Sequence, residues 1–146
     1  WPKKESATID SPIRRDSVRR NRMTTRGSAG RDAITHYKVE RRIESPYGKF
    51  ALLDVKIDTG RTHQIRVHLA SLGHPIIGDI TYGAPEAIQA QLGKQKSGTR
   101  RSIALPRNFL HASEIRFLQP KTCKDLHFSA PLPPELEQFL ALLDAK

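Results

Sequence analysis

Apolar and polar positions alternate clearly in the second quarter of this chain. Ala33, Thr35, Tyr37 and Val39 alternate with Ile34, His36, Lys38 and Glu40. A period of two in β-formers predicts a strand, because successive side chains point to opposite faces. It runs to about Ile43. Ser45-Pro46-Tyr47-Gly48 is a turn sequence. Lys49–Asp58 predicts a second strand, with Phe50 and Leu52 on one face and Ala51, Leu53, Val55 and Ile57 on the other. The short connection makes the two an antiparallel hairpin. Beyond Asp58-Thr59-Gly60 the period changes. Ile65, Leu69 and Leu72 fall at i, i+4 and i+7, which predicts a helix from about Thr62 to Leu72 with those three as its buried stripe. The hydroxyl of Thr59 or Thr62 is the expected cap and Gly73 the expected stop.

Further on, residues 84–92 read as a short helix and 93–108 as a basic loop. Leu110–Leu118 and Asp125–Ala130 read as strands around a turn at Pro120–Lys124. Pro131-Leu132-Pro133-Pro134 breaks the sheet. Pro134 then opens a last helix to about Asp144, with Leu136, Phe139, Leu140 and Leu143 inward. Antiparallel strands with a few helices give an α+β fold: a mixed or antiparallel sheet with flanking helices. Residues 1–32 differ in kind. They are poor in large apolar groups and rich in Arg, Ser and Thr, and read as a basic, extended, partly mobile segment with a short strand near Arg22–Thr25. Residues 33–146 carry the rest of the domain.

Length changes this picture little: 146 residues suit one domain with one core. Charge changes it more. The net charge is +10, and a field of that sign attracts polyanions. Residues 13–31 contain seven arginines against one acid, Asp16. Residues 94–107 add Lys94, Lys96, Arg100, Arg101 and Arg107 with no acid. Arginine forks suit bidentate phosphate contacts, so Arg14, Arg15, Arg19 and Arg20 are expected to bind the phosphates of a nucleic acid, with anionic lipid as the second candidate. No apolar run is long enough to span a membrane. A single cysteine, Cys123, and the lack of an apolar leader point to a cytoplasmic protein. The chain starts at Trp1 rather than Met, so it is expected to begin inside a longer gene product.

The densest chemistry lies in Thr59-Gly60-Arg61-Thr62-His63-Gln64-Ile65-Arg66-Val67-His68-Leu69-Ala70, followed by Gly73-His74-Pro75-Ile76 and Gly78-Asp79. Arg61, His63, Gln64 and Arg66 fall at a strand exit and the first turns of a helix. Cations there oppose the helix dipole, so the crowding points to an anionic partner. His68 reads as a satisfied interior histidine and Asp79 as a turn aspartate bonded to backbone. A metal site on His63, His68, His74 and Asp79 is disfavoured, because His63 and His68 are five residues apart and a helical pair needs four.

This block resembles the most distinctive C-terminal motif of the RluA-type RNA pseudouridine synthases. Three further blocks resemble that family in order. These are Ser11-Pro12-Ile13-Arg14-Arg15-Asp16 with Met23, then Gly30-Arg31-Asp32-Ala33-Ile34-Thr35-His36-Tyr37, and finally Leu110-His111-Ala112 with Ser129-Ala130-Pro131-Leu132-Pro133. The resemblance implies a pseudouridine-synthase-like fold, of which this chain is the C-terminal half. It also implies isomerisation of uridine to pseudouridine in structured, ribosomal RNA, with no metal and no cofactor. Arg61 matches the arginine that pairs with the family's catalytic aspartate. His63, Gln64 and Arg66 become RNA contacts. The family's His-Arg-Leu-Asp motif lies N-terminal to these blocks, and this sequence does not contain it. The chain is therefore expected to need the N-terminal half of the same catalytic domain as its partner, and to be inactive alone. The rival expectation is a non-enzymatic RNA-binding module. DNA-binding signatures are absent, and so are the aromatic positions of an RNA-recognition motif.

Overall fold

The computed structural model describes residues 1–27, 29–91 and 101–144. Nine strands and two helices follow one another among the described residues: β1 Ser6–Asp10, β2 Arg14–Arg15, β3 Met23–Thr24, β4 Ile34–Ser45, β5 Gly48–Ile57, α1 Gln64–Ser71, β6 Ile88–Gln89, β7 Ser102–Ile103, β8 Glu114–Leu118, β9 Asp125–Ser129 and α2 Pro134–Asp144. A 3-10 turn at Ile80–Tyr82 follows α1. The main sheet has the order β1-β4-β5 and is antiparallel throughout. The β4–β5 hairpin appears where alternation predicted it, with a register shift between Val39 and Arg41. The other strands form three separate antiparallel pairs, β2–β3, β6–β7 and β8–β9. The fold is α+β, as expected, and the pairing is antiparallel rather than mixed.

The core has three parts. Ile43, Leu105, Leu136, Phe139 and Leu143 pack where α2 crosses the far end of the β4–β5 hairpin. Their spacing on α2 follows the predicted inner face, with Leu140 at the margin. Ile9, Tyr37, Leu69 and Ile76 join the sheet to the end of α1. Ile13, Ala33, Val67 and Tyr82 join α1 to the Arg-rich segment. Among the described residues no helix is long and apolar enough to cross a membrane.

Several expectations need correction. Within the segment 1–32, Ser6–Asp10 pairs with β4 over five residues and so belongs to the sheet. Its signal was weak because Ile9 is the only large apolar side chain in Ser6–Asp10. The helix expected at 84–92 does not form over 84–91; Ile88–Gln89 pairs with Ser102–Ile103 instead. Residue 92, and Lys94, Lys96 and Arg100 of the basic loop, lie outside the described residues. Arg107 does not point to a free anion site: it pairs with Glu135 at 2.7 Å and donates to the Leu110 carbonyl.

Helix α1 is also held differently than its pattern suggested. Its buried residues are Gln64, Val67, His68 and Leu69, while Leu72 is exposed. No threonine caps it; the N-cap is His63, in the left-handed region at φ 56°, without a side-chain cap bond. The C-terminal stop is as expected. Gly73 has φ +81°, its N–H donates to the Ala70 carbonyl, and His74 N–H donates to the Leu69 carbonyl. That is the two-bond pattern of a glycine-terminated helix.

Candidate RNA-facing site around Arg61

The turn between β5 and α1 is built on Gln64. Its side chain is 3 % exposed, and both ends of the amide are used. Oε1 accepts from the Thr59 hydroxyl at 2.8 Å and from Arg61 N–H at 3.0 Å. Nε2 donates to the Ile34 carbonyl at 2.9 Å and to the Thr35 hydroxyl at 3.1 Å. Thr59 in turn accepts from Ile34 N–H. The amide thus clamps the turn onto the start of β4. Gln64, expected to touch RNA, is spent on the protein; it positions Arg61 instead.

Arg61 is half-buried. Its Nε donates to the Asp32 carbonyl at 3.1 Å. Among the described residues its two terminal amino groups have no hydrogen-bond partner and no carboxylate within salt-bridge reach. A guanidinium fixed at one nitrogen and open at the other two is preorganised for a planar anion such as a carboxylate.

His68 stitches α1 to two neighbours and is fully buried. Nε2 lies 2.9 Å from the Ser11 carbonyl, so it must carry the proton. Nδ1 is then the acceptor for the Thr35 hydroxyl at 2.8 Å. Burial pushes the imidazole below its ordinary pKa, against the pull of the Ser11 bond. The satisfied interior histidine expected from sequence is what the structure contains.

Arg66 departs from its expected role. Its Nε and Nη2 meet the two Asp79 carboxylate oxygens at 2.7 and 2.8 Å. Asp79 is 1 % exposed, so this is an interior bidentate pair rather than a phosphate contact. The bond to Asp79 raises the Arg66 pKa. The cation crowding in the first turn of α1 is therefore partly answered from inside the chain. Asp79 also accepts from Tyr82 N–H at 3.3 Å, which is the backbone bond expected of it.

Tyr82 is the residue that sequence reasoning missed. Its hydroxyl accepts from Met23 N–H at 2.8 Å and lies 3.1 Å from His63 Nδ1. Its ring meets the His63 ring edge-on at 5.7 Å. The guanidinium carbons of Arg22 and Arg66 both lie 5.0 Å from its centroid, a favourable cation–π distance. The only signal in the sequence was an aromatic residue three positions after Asp79. Burial, followed by the charge of Arg66, pushes the His63 imidazole below its ordinary value. The His63 backbone lies in the left-handed region, a sparsely populated conformation, and the ring is oriented against the Tyr82 phenol.

The arginines of the first segment are arranged by backbone carbonyls. Arg14 Nε donates to the Arg26 carbonyl at 2.8 Å, and Arg15 Nη1 to the Arg20 carbonyl at 2.9 Å. Asp16 folds the intervening loop by accepting from Val18 and Arg19 N–H, bonds that hold its carboxyl below the ordinary range. Arg19 and Arg20 are exposed. Met23 and Tyr82 tie this loop to His63, so the basic segment and the Arg61 turn are neighbours. Among the described residues no three His, Cys, Asp or Glu side chains are grouped to hold a metal ion.

A family model described as RNA pseudouridylate synthase matches residues 1–71. An uncharacterized RNA pseudouridine synthase of Chlorobaculum parvum is 45% identical over 95% of this chain and 42% of its own length. The ribosomal large subunit pseudouridine synthase D of Zymomonas mobilis is 33% identical over 92% of this chain and 39% of its own length. That of Vibrio cholerae is 39% identical over 94% of this chain and 41% of its own length. The chain spans about two fifths of the length of these curated relatives. Among solved structures, the human RNA pseudouridylate synthase domain containing 1 superposes with a TM-score of 0.53 at 23% identity, over 100% of this chain and 62% of that one. At that identity the match concerns the fold alone.

Proposed function

This chain belongs to the RluA type of RNA pseudouridylate synthases, and from that premise we propose that it is the Arg61-bearing part of an enzyme that isomerises uridine to pseudouridine in structured ribosomal RNA. The reaction breaks the N1–C1′ bond, turns the base and joins C5 to C1′. Nothing is added or removed overall, so no cofactor is consumed. The observation that carries the reading is Arg61, held at one nitrogen by Asp32 and open at the others. Its partner is a carboxylate from the other part of the catalytic domain. A guanidinium beside that group keeps it ionised and fixes its orientation.

In this reading the base leaves the RNA stack to reach the site. Arg14, Arg15, Arg19 and Arg20 hold the flanking phosphates. His63 faces the same region and offers a hydrogen bond. Gln64 and Arg66 position the turn and the helix. The chain by itself supplies no nucleophile and is inactive alone.

Replacing Arg61 tests this. In the full-length enzyme, Arg61→Ala should lower kcat by about 100-fold or more, the usual loss for one preorganised electrostatic partner. Arg61→Lys should rescue little, because an ammonium cannot reproduce the fork. Substrate binding and melting temperature should change little. Full turnover by Arg61→Ala would overturn the assignment.

A further inference from the structure

We propose that Tyr82 is a positioning residue for the reaction: its hydroxyl holds the His63 imidazole with Nδ1 as acceptor, so that Nε2–H is presented to an uncharged oxygen of the target nucleotide. This rests on the pseudouridine-forming reading above and adds which nitrogen of His63 is used and what sets it. A phenol has one proton to give. The Tyr82 oxygen already accepts from Met23 N–H at 2.8 Å. Among the described residues the one acceptor within reach of the hydroxyl is His63 Nδ1, at 3.1 Å. Were Nδ1 to carry a proton, the oxygen would accept twice. The phenol proton would then have no partner at a residue only 5 % exposed, which is costly. In the paired arrangement the phenol donates to Nδ1, and the imidazole proton sits on Nε2.

That proton is free to be used. Among the described residues Nε2 has no partner, and the buried side-chain atom left without one is Arg22 Nε, so Nε2 opens to solvent. His63 and Arg61 leave the same turn, which the Gln64 amide clamps to β4. The backbone at His63 is left-handed, at φ 56°. Glycine adopts that conformation at less cost, so an imidazole here points to use of the ring.

The surrounding charges favour the same state. Arg66 of α1 and Arg22 of the loop before β3 each place a guanidinium carbon 5.0 Å from the Tyr82 centroid. Asp79 of the connector is taken up by Arg66 through both carboxylate oxygens, and Asp16 approaches Arg22 only to 3.9 Å. A second proton on His63 would join these cations and break the bond from the phenol. Burial and the Arg66 charge hold the imidazole pKa below its ordinary value, against the pull of Asp79. An uncharged donor suits a carbonyl or hydroxyl oxygen of uridine, while the phosphates have the arginines.

Two measurements on the full-length protein test this. Nitrogen NMR of the labelled histidines at pH 7 should show His63 as the Nε2–H tautomer, and Tyr82→Phe, which keeps the ring, should lose that preference. A wild-type Nδ1–H tautomer would overturn the assignment. In turnover, His63→Asn should lower kcat/KM by about 5- to 100-fold, the range for leaving one acceptor unpaired. Tyr82→Phe should lower it by about 2- to 10-fold, as for one hydrogen bond. His63→Gln should keep more activity than His63→Asn, because its amide nitrogen reaches the Nε2 position. Backbone strain alone ranks the two the other way, since asparagine tolerates the left-handed region better. An asparagine variant at least as active as the glutamine one would therefore overturn the donor role. His63→Asn should leave the salt dependence of RNA binding unchanged; a slope flatter by about 0.7 would mean a charged imidazole on a phosphate and would overturn it too. If Tyr82→Phe loosens the fold, the His63 pair decides. If Arg61→Ala stops turnover but none of these variants matters, this inference falls and the Arg61 reading stands. If the wild type forms no pseudouridine, both fall.

Discussion

His68 gives the fold an acid-sensitive joint. Unfolded, it takes up a proton near pH 6.5; folded, burial holds its pKa lower. Below pH 6.5 the unfolded chain therefore binds more protons, and acidification removes stability at up to about 1.4 kcal/mol per pH unit. Above pH 6.5 the contribution is complete. Melting curves between pH 7.5 and 5 should show stability falling with pH, and His68→Gln should flatten that fall while lowering stability at pH 7. Parallel curves for the two proteins would contradict the neutral joint. At this scale the sequence motif was legible and the roles were not. Arg61, His63, Gln64 and Arg66 all looked like ligands for an anion. Gln64 answers to Ile34 and Thr35, and Arg66 to Asp79. Those partners are distant in sequence, and spacing along one helix carries no trace of them.

Elements with a clean period were readable, and those whose partners lie far along the chain were not. The β4–β5 hairpin and α2 follow from alternation and from i, i+3, i+7 spacing. The strand β1 could not be read because its pairing with β4 spans nearly thirty residues. The 84–92 stretch is apolar enough for a helix, yet Ile88–Gln89 pairs with β7 and Gln91 N–H donates to the Pro46 carbonyl. The tight connector after α1 depends on one glycine. Gly78 has φ +79°, and a Cβ there would lie 2.0 Å from the Arg107 carbonyl oxygen. Gly78→Ala should cost more than the roughly 1–3 kcal/mol of left-handed strain alone, because Arg107 must also move. Urea unfolding at equal slope would measure it; a cost below the low end of that range, about 1 kcal/mol, would show that the connector yields freely.

The whole molecule is two-sided in its polarity. One end is the arginine segment with the Arg61 turn. Elsewhere the β8–β9 hairpin sets Arg116–Asp125 and Glu114–His127 pairs on one face. It exposes Ile115, Phe117 and Phe128 on the other. A lone two-stranded hairpin is marginal in water, and among the described residues this apolar face stays exposed. The charged end makes its own prediction. Neutralising Arg14, Arg15, Arg19 and Arg20 together should reduce the salt dependence of RNA binding by about 0.7–0.9 in slope for each phosphate no longer neutralised. An unchanged slope would remove the arm from the interface. The net charge of +10 pointed to a polyanion, but only the motif said which chemistry accompanies it.

The central claim is that the complete protein turns uridine into pseudouridine and that this chain supplies Arg61 to the task. The direct measurement is nucleoside chromatography of large-subunit ribosomal RNA after incubation with the full-length protein, its Arg61→Ala variant and the 146-residue chain alone. Pseudouridine is expected from the full-length protein, a trace from the variant and none from the chain alone. Binding of the RNA by all three with no pseudouridine from any would contradict the claim and leave an RNA-binding module in its place.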